Sequence, residues 1–525
     1  MGGRYRRRRV RGKRRGRGRT VPETPGRAAM NAPLLSALRP KVELLSRPFI
    51  EQIIDEAIVL LEVHGVLVEN EDALKLFRDA GQDVESSRER VFIKRELVEQ
   101  CLRTAPSSVT LVDRQGRESR FVGGDEVHFD PGSAAVTILE SDGSKIRRPE
   151  TSDLVRFVRL TDALPHLHFQ STGLVSGDVP EAVADVYRLY IGLLHSTKPV
   201  VTGTFRVESF APMRDLLAAV RGGENALAEK PLAVFDACPS PPLKWSRLTC
   251  QSLLDCSRAM IPSELISMGM TGATSPVTLS GTLVQHTAEN LAGLVICQLA
   301  RPGAPVIFGG SPSSFDMRKG TTPMGAMETM MIDVCSAQVG KHLRLPTHAY
   351  MGLSDAKVND TQAGLETGLG AVLASLAGIN VVSGAGMMNF ESCQSLEKLV
   401  IDDEICGMAY RLLRGVAQRE NPMAVPLYDA VASNTNFLAH PHTRKWYKQE
   451  HSFPSLADRD TYDAWVELGK KTMAERAAEK VKRILKEHQP ELLPDDEVRA
   501  LRDIMARAGR KAGLTSLPSD RRAEK

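Results

Sequence analysis

The chain has 525 residues, 42% hydrophobic and 25% charged, the balance of an ordinary folded protein and too long for one small domain. It has no run of about 18 uninterrupted apolar residues that would span a bilayer. Its eight cysteines are scattered, and the nearest pair, Cys250 and Cys256, lacks CxxC spacing; reduced thiols in a cytoplasmic protein fit better than a disulfide or zinc framework.

The formal net charge of +4 is unevenly spread. Residues 1–20 hold eleven Lys or Arg and no acid, so the remainder carries 57 basic against 64 acidic residues, a balance of −7. Residues 1–39 read as a basic disordered tail, and only Tyr5 offers an aromatic ring among the arginines for nucleic-acid stacking. Ile50–Val63, Glu71–Ala80 and Lys94–Arg103 show helical spacing. Val109–Arg148 alternates between turn signals at Gly123-Gly124, Pro131-Gly132 and Asp142-Gly143. Residues 40–150 are therefore expected to form an N-terminal α+β region.

From Thr151 the cadence changes. Apolar strand-like runs recur at 167–175, 199–205, 231–236, 264–270, 304–309, 345–351, 378–384 and 434–439, with helical stretches between them. Eight mostly apolar strands alternating with helices predict a parallel sheet covered on both sides, and eight is the closing number of a (β/α)8 TIM barrel. This domain is expected over 151–488, its last part a C-terminal helical extension, with a charged, frayed tail over 489–525.

In such a sheet, ligands bind where strands hand over to helices. Helix-capping runs follow the third, fourth and fifth strands: Ala237–Pro241, Gly272–Pro276 (with Ser275) and Gly309–Pro312. Gly384-Ala385-Gly386 ends the seventh strand and would let a phosphate or a flat cofactor approach the backbone. Aromatics also recur near strand ends, at Phe205, Phe235, Phe308, Tyr350, Phe390 and Phe437; two or three of them are expected to touch a ligand. An aromatic cage favours a quaternary ammonium. The mouth is read as Phe205, Phe308, His348, Tyr350 and the Gly384–Gly386 loop.

Metal chemistry is the competing reading, as in a metal-dependent TIM-barrel hydrolase. His166-x-His168 stands at the start of its strand, the wrong end, and His440-x-His442 lacks a third ligand, so no metal site is assigned. No catalytic acid, base or nucleophile is assigned either. Of Asp402-Asp403-Glu404, helical spacing predicts one inward carboxylate plus surface charge.

The run DAKxxDxQAGxE (Asp355, Ala356, Lys357, Asp360, Gln362, Ala363, Gly364, Glu366) resembles the trimethylamine methyltransferase superfamily, as does SGAGMMNFESCQSLEKLVIDDEICG, which contains Gln394. GGDEVHF with RRPETSDLVRFVRLTDAL, and later HPHTRKWYKQEHSFPSLADRDTYDAW, agree, so the resemblance covers roughly 44–485. It implies transfer of a methyl group from a methylated amine to the cobalt of a corrinoid (cobalamin) carried by a separate small protein. Every residue is one of the standard twenty, so the chain looks like the branch lacking pyrrolysine, some of whose members demethylate glycine betaine. Given that chemistry, the strand-end residues Phe205, Phe308, His348, Tyr350 and Phe390 are expected to contact the substrate, and Ser275, Gly384, Ala385 and Gly386 to face the corrinoid. A cytoplasmic homo-oligomer with no membrane partner is expected. The chain lacks the DxHxxG run of a corrinoid-binding domain.

Overall fold

Eight parallel strands organise the chain: β1 (His128–Pro131), β2 (Gln170–Ser171), β3 (Val200–Gly203), β4 (Ala233–Ala237), β5 (Ser263–Ser267), β6 (Val306–Gly310), β7 (His348–Tyr350) and β8 (Val381–Ala385). The computed structural model describes residues 38–85, 87, 89–132, 134–420, 423–431 and 436–517. Strands β2 to β6 form one sheet in the order β6-β5-β4-β3-β2, and β7-β8-β1 form a second. Single parallel bridges, Phe129 to Leu167 and Phe308 to Thr347, join the edges of the two sheets.

Seven of the expected strands are present, and the eighth is a correction. Residues 434–435 lie outside the described residues, and 437–439 form bend and turn. The place beside β8 is taken instead by β1, from the segment expected to stand apart as an α+β region. Asn380 is the reason: its Nδ2 donates to the carbonyls of Gly124 (3.2 Å) and Glu126 (2.8 Å), while its Oδ1 accepts from Thr347 N–H at 2.9 Å. One amide thus aligns β1 with β7 and β8.

Side-chain alternation sorts the core. Phe169, Val201, Val234, Ile307 and Val381 meet Val109, Leu111 and Val122 of the hairpin Ser108–Val112/Ser119–Gly123 in one apolar cluster. That hairpin supplies the apolar floor shared by both sheets. Outside the strands, the Arg47–Val63 helix buries Ile50, Ile53, Ala57 and Leu61 in a cluster with Leu291, Leu294 and Val295 of the Leu279–Ala300 helix.

The region expected as a frayed tail also needs correcting. Asp495–Lys511 is a helix that buries Leu501, Ile504 and Met505, a three- and four-residue spacing, in the same cluster as Tyr187 and Phe210. Residues 1–37 and 518–525 lie outside the described residues. The chain divides into two units, 39–413 with 438–525, and 1–38 with 414–437. The described part of the second holds the short helix Val425–Val431 and an edge-to-face pair of Tyr428 and Phe437 at 5.4 Å.

Candidate active site

Two residues beyond the apolar floor, on the same strand faces, the side chains turn polar. Asp236 follows Val234, Ser383 follows Val381, and Glu264 is the register neighbour of Asp236. Asp130 and Glu264 are fully buried. Ser383 Oγ–H donates to Asp130 Oδ2 at 2.8 Å, so the 3.0 Å contact from His348 Nε2 to Ser383 Oγ puts the imidazole proton on Nε2. His348 Nε2 is also 3.9 Å from Glu264 Oε2, and neither Glu264 oxygen accepts a hydrogen bond that satisfies normal geometry among the described residues.

These groups cannot all be charged. Burial, then the charge and hydrogen bonding of Asp236, push the Glu264 carboxyl well above its ordinary value. Burial also raises Asp130, against the Ser383 bond. His348 is pulled down to about 3 by burial and is neutral. The cluster therefore holds protons among its carboxyls instead of a full complement of negative charge.

Above this layer sits a cation. Arg188, in the Ala184–His195 helix, is buried; its Nη1 donates to Thr172 O at 2.6 Å, and its Cζ lies 4.3 Å from the centre of the Phe205 ring. Asp185, one turn earlier, accepts from Phe205 N–H at 2.7 Å, so the same helix fixes both ring and guanidinium. Burial lowers Arg188 to about 10, with Asp185, Asp236 and Tyr350 opposing, and it remains charged at neutral pH. Tyr350 is nearly buried and meets His348 edge to face at 5.0 Å.

Phe205, His348 and Tyr350 thus gather at one end of the strands. Phe308 does not join them, a correction to the expected mouth. Ile307 and Gly309 occupy the inner face of β6, so Phe308 turns outward to His286, at 5.9 Å, and Gly340. Phe390 lies under the Lys357 ammonium, 3.9 Å from its ring centre. Asn389, Phe390 and Glu391 all have left-handed backbone, φ 50°, 57° and 61°, a strained run of a kind that concentrates near functional sites.

The Gly384–Gly386 loop is closed to a ligand. A Cβ on Gly384 would lie 2.9 Å from Leu353 Cβ, and one on Gly386 2.4 Å from Gln394 Oε1. Those side chains already fill the space expected for an approaching cofactor. Ser275 is half-buried and bonds Thr282 Oγ1 at 2.9 Å.

The DAKxxDxQAGxE run is a latch. Asp360 caps the Thr361–Ala377 helix through the N–H groups of Gln362 and Ala363. Glu366 accepts from Ser354 Oγ (2.6 Å), Asp355 N–H (2.8 Å) and Gln362 Nε2 (2.9 Å). Asp355 accepts from the N–H groups of Met324 and Gly325, at 2.9 and 2.8 Å, and Lys357 Nζ returns to Asp355 O. Gln394 is buried and its Nε2 donates to Ala385 O at 3.4 Å.

Among the described residues no group of three or more His, Cys, Asp or Glu could hold a metal. His168 bonds His128 Nδ1 at 2.8 Å and Tyr410 OH at 3.2 Å, whereas His166 faces Asp403. All three residues of the Asp402–Glu404 cluster are buried, against the single inward carboxylate expected. Asp402 binds Lys398 and the Gly386 N–H, Asp403 binds His166, and Glu404 takes four bonds from Ser455, Leu456 and Ala457. All eight cysteines are free thiols.

Sequence reading missed Asp130, Arg188, Asp236 and Glu264. The signal was there: each of the last three is a lone charge inside an apolar run, in VYRLY, AVFDA and SELIS.

Residues 8–514 match the family model described as trimethylamine methyltransferase (MTTB). The chain belongs to this family. It is 32% identical to a glycine betaine methyltransferase of Desulfitobacterium hafniense (strain Y51) over 481 residues, 91% of this chain and 100% of that one. A trimethylamine methyltransferase of Methanosarcina barkeri is 32% identical over 452 residues, 85% of this chain and 90% of that one. The monomethylamine methyltransferase of Methanosarcina barkeri, whose crystal structure is known, aligns with a TM-score of 0.51 over 91% of this chain and 90% of that one; its 12% identity shows a shared fold. As a member of a methyltransferase family, the chain is an enzyme, and the polar layer at the strand ends is its candidate active site.

Proposed function

We propose that this methyltransferase takes a methyl group from a small quaternary or tertiary methylamine, such as glycine betaine, and passes it to the Co(I) corrinoid of a separate small protein. The observation that carries this reading is the pairing of two aromatic rings at the strand ends, buried Tyr350 and the more open Phe205, with the carboxyls of half-buried Asp236 and buried Glu264. A fixed cation suits both: ring faces attract it, and the carboxyl layer lies on its other side. The two sheets read best as one closed eight-stranded barrel, since the two bridges give every strand a parallel neighbour on each side.

The chemistry asks little acid–base work of the chain. A quaternary ammonium leaves as a neutral amine, so no proton need be supplied. The protein binds, orients and excludes water, which can account for several kcal/mol of barrier, up to about 7–11. The corrinoid brings the nucleophilic metal, and its carrier would dock on the rim. Met268, Val277, Met317 and Val358 follow strand ends β5, β6 and β7 and are exposed apolar side chains there. The buried thiols fit a cytoplasmic setting.

Tyr350 gives the test. Tyr350→Leu keeps bulk but removes the ring face, and should weaken the donor by about 1 kcal/mol or more. Tyr350→Phe should cost less if the face carries the interaction and as much if the hydroxyl does. Unchanged donor affinity in Tyr350→Leu would remove Tyr350 from the ammonium site.

A further inference from the structure

A buried guanidinium that makes one hydrogen bond among the described residues, and lies beside carboxyls, needs an explanation. Arg188 is 2% exposed. Its one hydrogen bond among the described residues is Nη1–H to Thr172 O, and its Nε is buried with no acceptor. Asp185, on the same helix, is committed to the N–H groups of Val186 and Phe205. The guanidinium lies against the Phe205 ring, and that ring is 38% exposed, so the side chain that covers the cation is itself open to solvent. A planar donor fork held in this way, with a donor unused, matches a carboxylate in two-point geometry.

The surroundings narrow the ligand further. Asp130, Asp236 and Glu264 bring three carboxyls to the same strand ends, and among the described residues neither oxygen of Glu264 accepts a hydrogen bond of normal geometry. A phosphate or dicarboxylate drawn to Arg188 would bring two or more negative charges beside a carboxyl layer already too crowded to carry its own full charge. A simple alkylammonium would satisfy the carboxyls and leave Arg188 unanswered. A small zwitterion satisfies both.

We propose that Arg188 is the specificity residue of this site: its guanidinium receives the carboxylate of a zwitterionic methyl donor whose ammonium lies toward Tyr350, Asp236 and Glu264. The word donor rests on the methyltransferase reading, but the recognition itself is tested by binding alone.

Titration calorimetry with glycine betaine and with tetramethylammonium, on the full chain and on Arg188→Met and Arg188→Lys, decides it. The wild type should bind glycine betaine at least tenfold more tightly than tetramethylammonium. Arg188→Met should lose that preference, weakening glycine betaine at least tenfold and leaving tetramethylammonium within about twofold. Should Arg188→Met fail to fold by circular dichroism, Arg188→Lys carries the test. It keeps the charge without the fork, and should weaken glycine betaine at least threefold with no effect on tetramethylammonium. Equal loss for both ligands in a folded variant, equal affinity in the wild type, or no binding of glycine betaine, proline betaine or carnitine would each overturn the assignment. Demethylation of trimethylamine or choline without recognition of any carboxylate would sink Arg188 and leave the methyltransferase reading standing. Arg188-dependent betaine binding without demethylation would do the reverse.

Discussion

Glu391 shows what a single residue here does with its proton. Burial, with the nearby Asp355 adding to it and the Ser311 Oγ–H bond opposing, pushes its carboxyl from an ordinary 4.5 up to about 7. A carboxyl raised in the folded state gives up its proton more readily when the chain unfolds. The stability it supplies while protonated is intact below about pH 4.5 and is lost as pH rises through about 7. Glu391→Gln should therefore flatten the fall in melting temperature across that window and be the more stable protein above it; a variant that tracks the wild type at every pH would contradict this. The same scale explains the aromatic residues. Their position near strand ends was legible in the sequence, but not which face each takes. Strand alternation sends Tyr350 inward with His348 and Phe308 outward to His286.

At the scale of elements, the Asp355–Glu366 run was legible as a motif and illegible as to role. It fastens the turn between β7 and the Thr361–Ala377 helix to the loop at Met324–Gly325, through bonds between residues some 30 apart in sequence. Asp360→Ala removes the cap on that helix and should cost about 1 kcal/mol in urea unfolding. Gly370, within the same helix, faces the backbone of Met351, whose carbonyl oxygen would lie 1.9 Å from an added Cβ. Gly370→Ala should therefore cost about 1–3 kcal/mol or more, despite the better helix propensity of alanine. A neutral or stabilising result would mean that the helix can move away from β7. β1 escaped sequence reading because four residues ending in Pro131, after a hairpin, carry no period long enough to register; a distant amide, Asn380, sets them in place.

For the whole molecule, the alternating cadence from residue 151 gave seven of eight parallel strands, because continuous apolar runs are what a doubly covered sheet requires. The C-terminal end of the chain is less legible. Asp495–Lys511 looks charged, yet its apolar stripe packs into the cluster that holds Tyr187 and Phe210. Truncation after Pro494 should lower the melting temperature by several degrees, since burying each such side chain is worth roughly 1.5–3 kcal/mol; an unchanged melting temperature would show the helix to be dispensable. The central claim is the reaction, and its most direct test is to mix the purified enzyme with glycine betaine, its relatives and the simple methylamines, with chemically reduced cobalamin as acceptor, and follow the cobalt spectrum and the amine product. Loss of the Co(I) band is expected, with formation of the singly demethylated amine from a quaternary donor, faster when a small corrinoid protein carries the cobalt. Failure to demethylate any quaternary, tertiary or secondary methylamine under reducing conditions would contradict the proposed reaction.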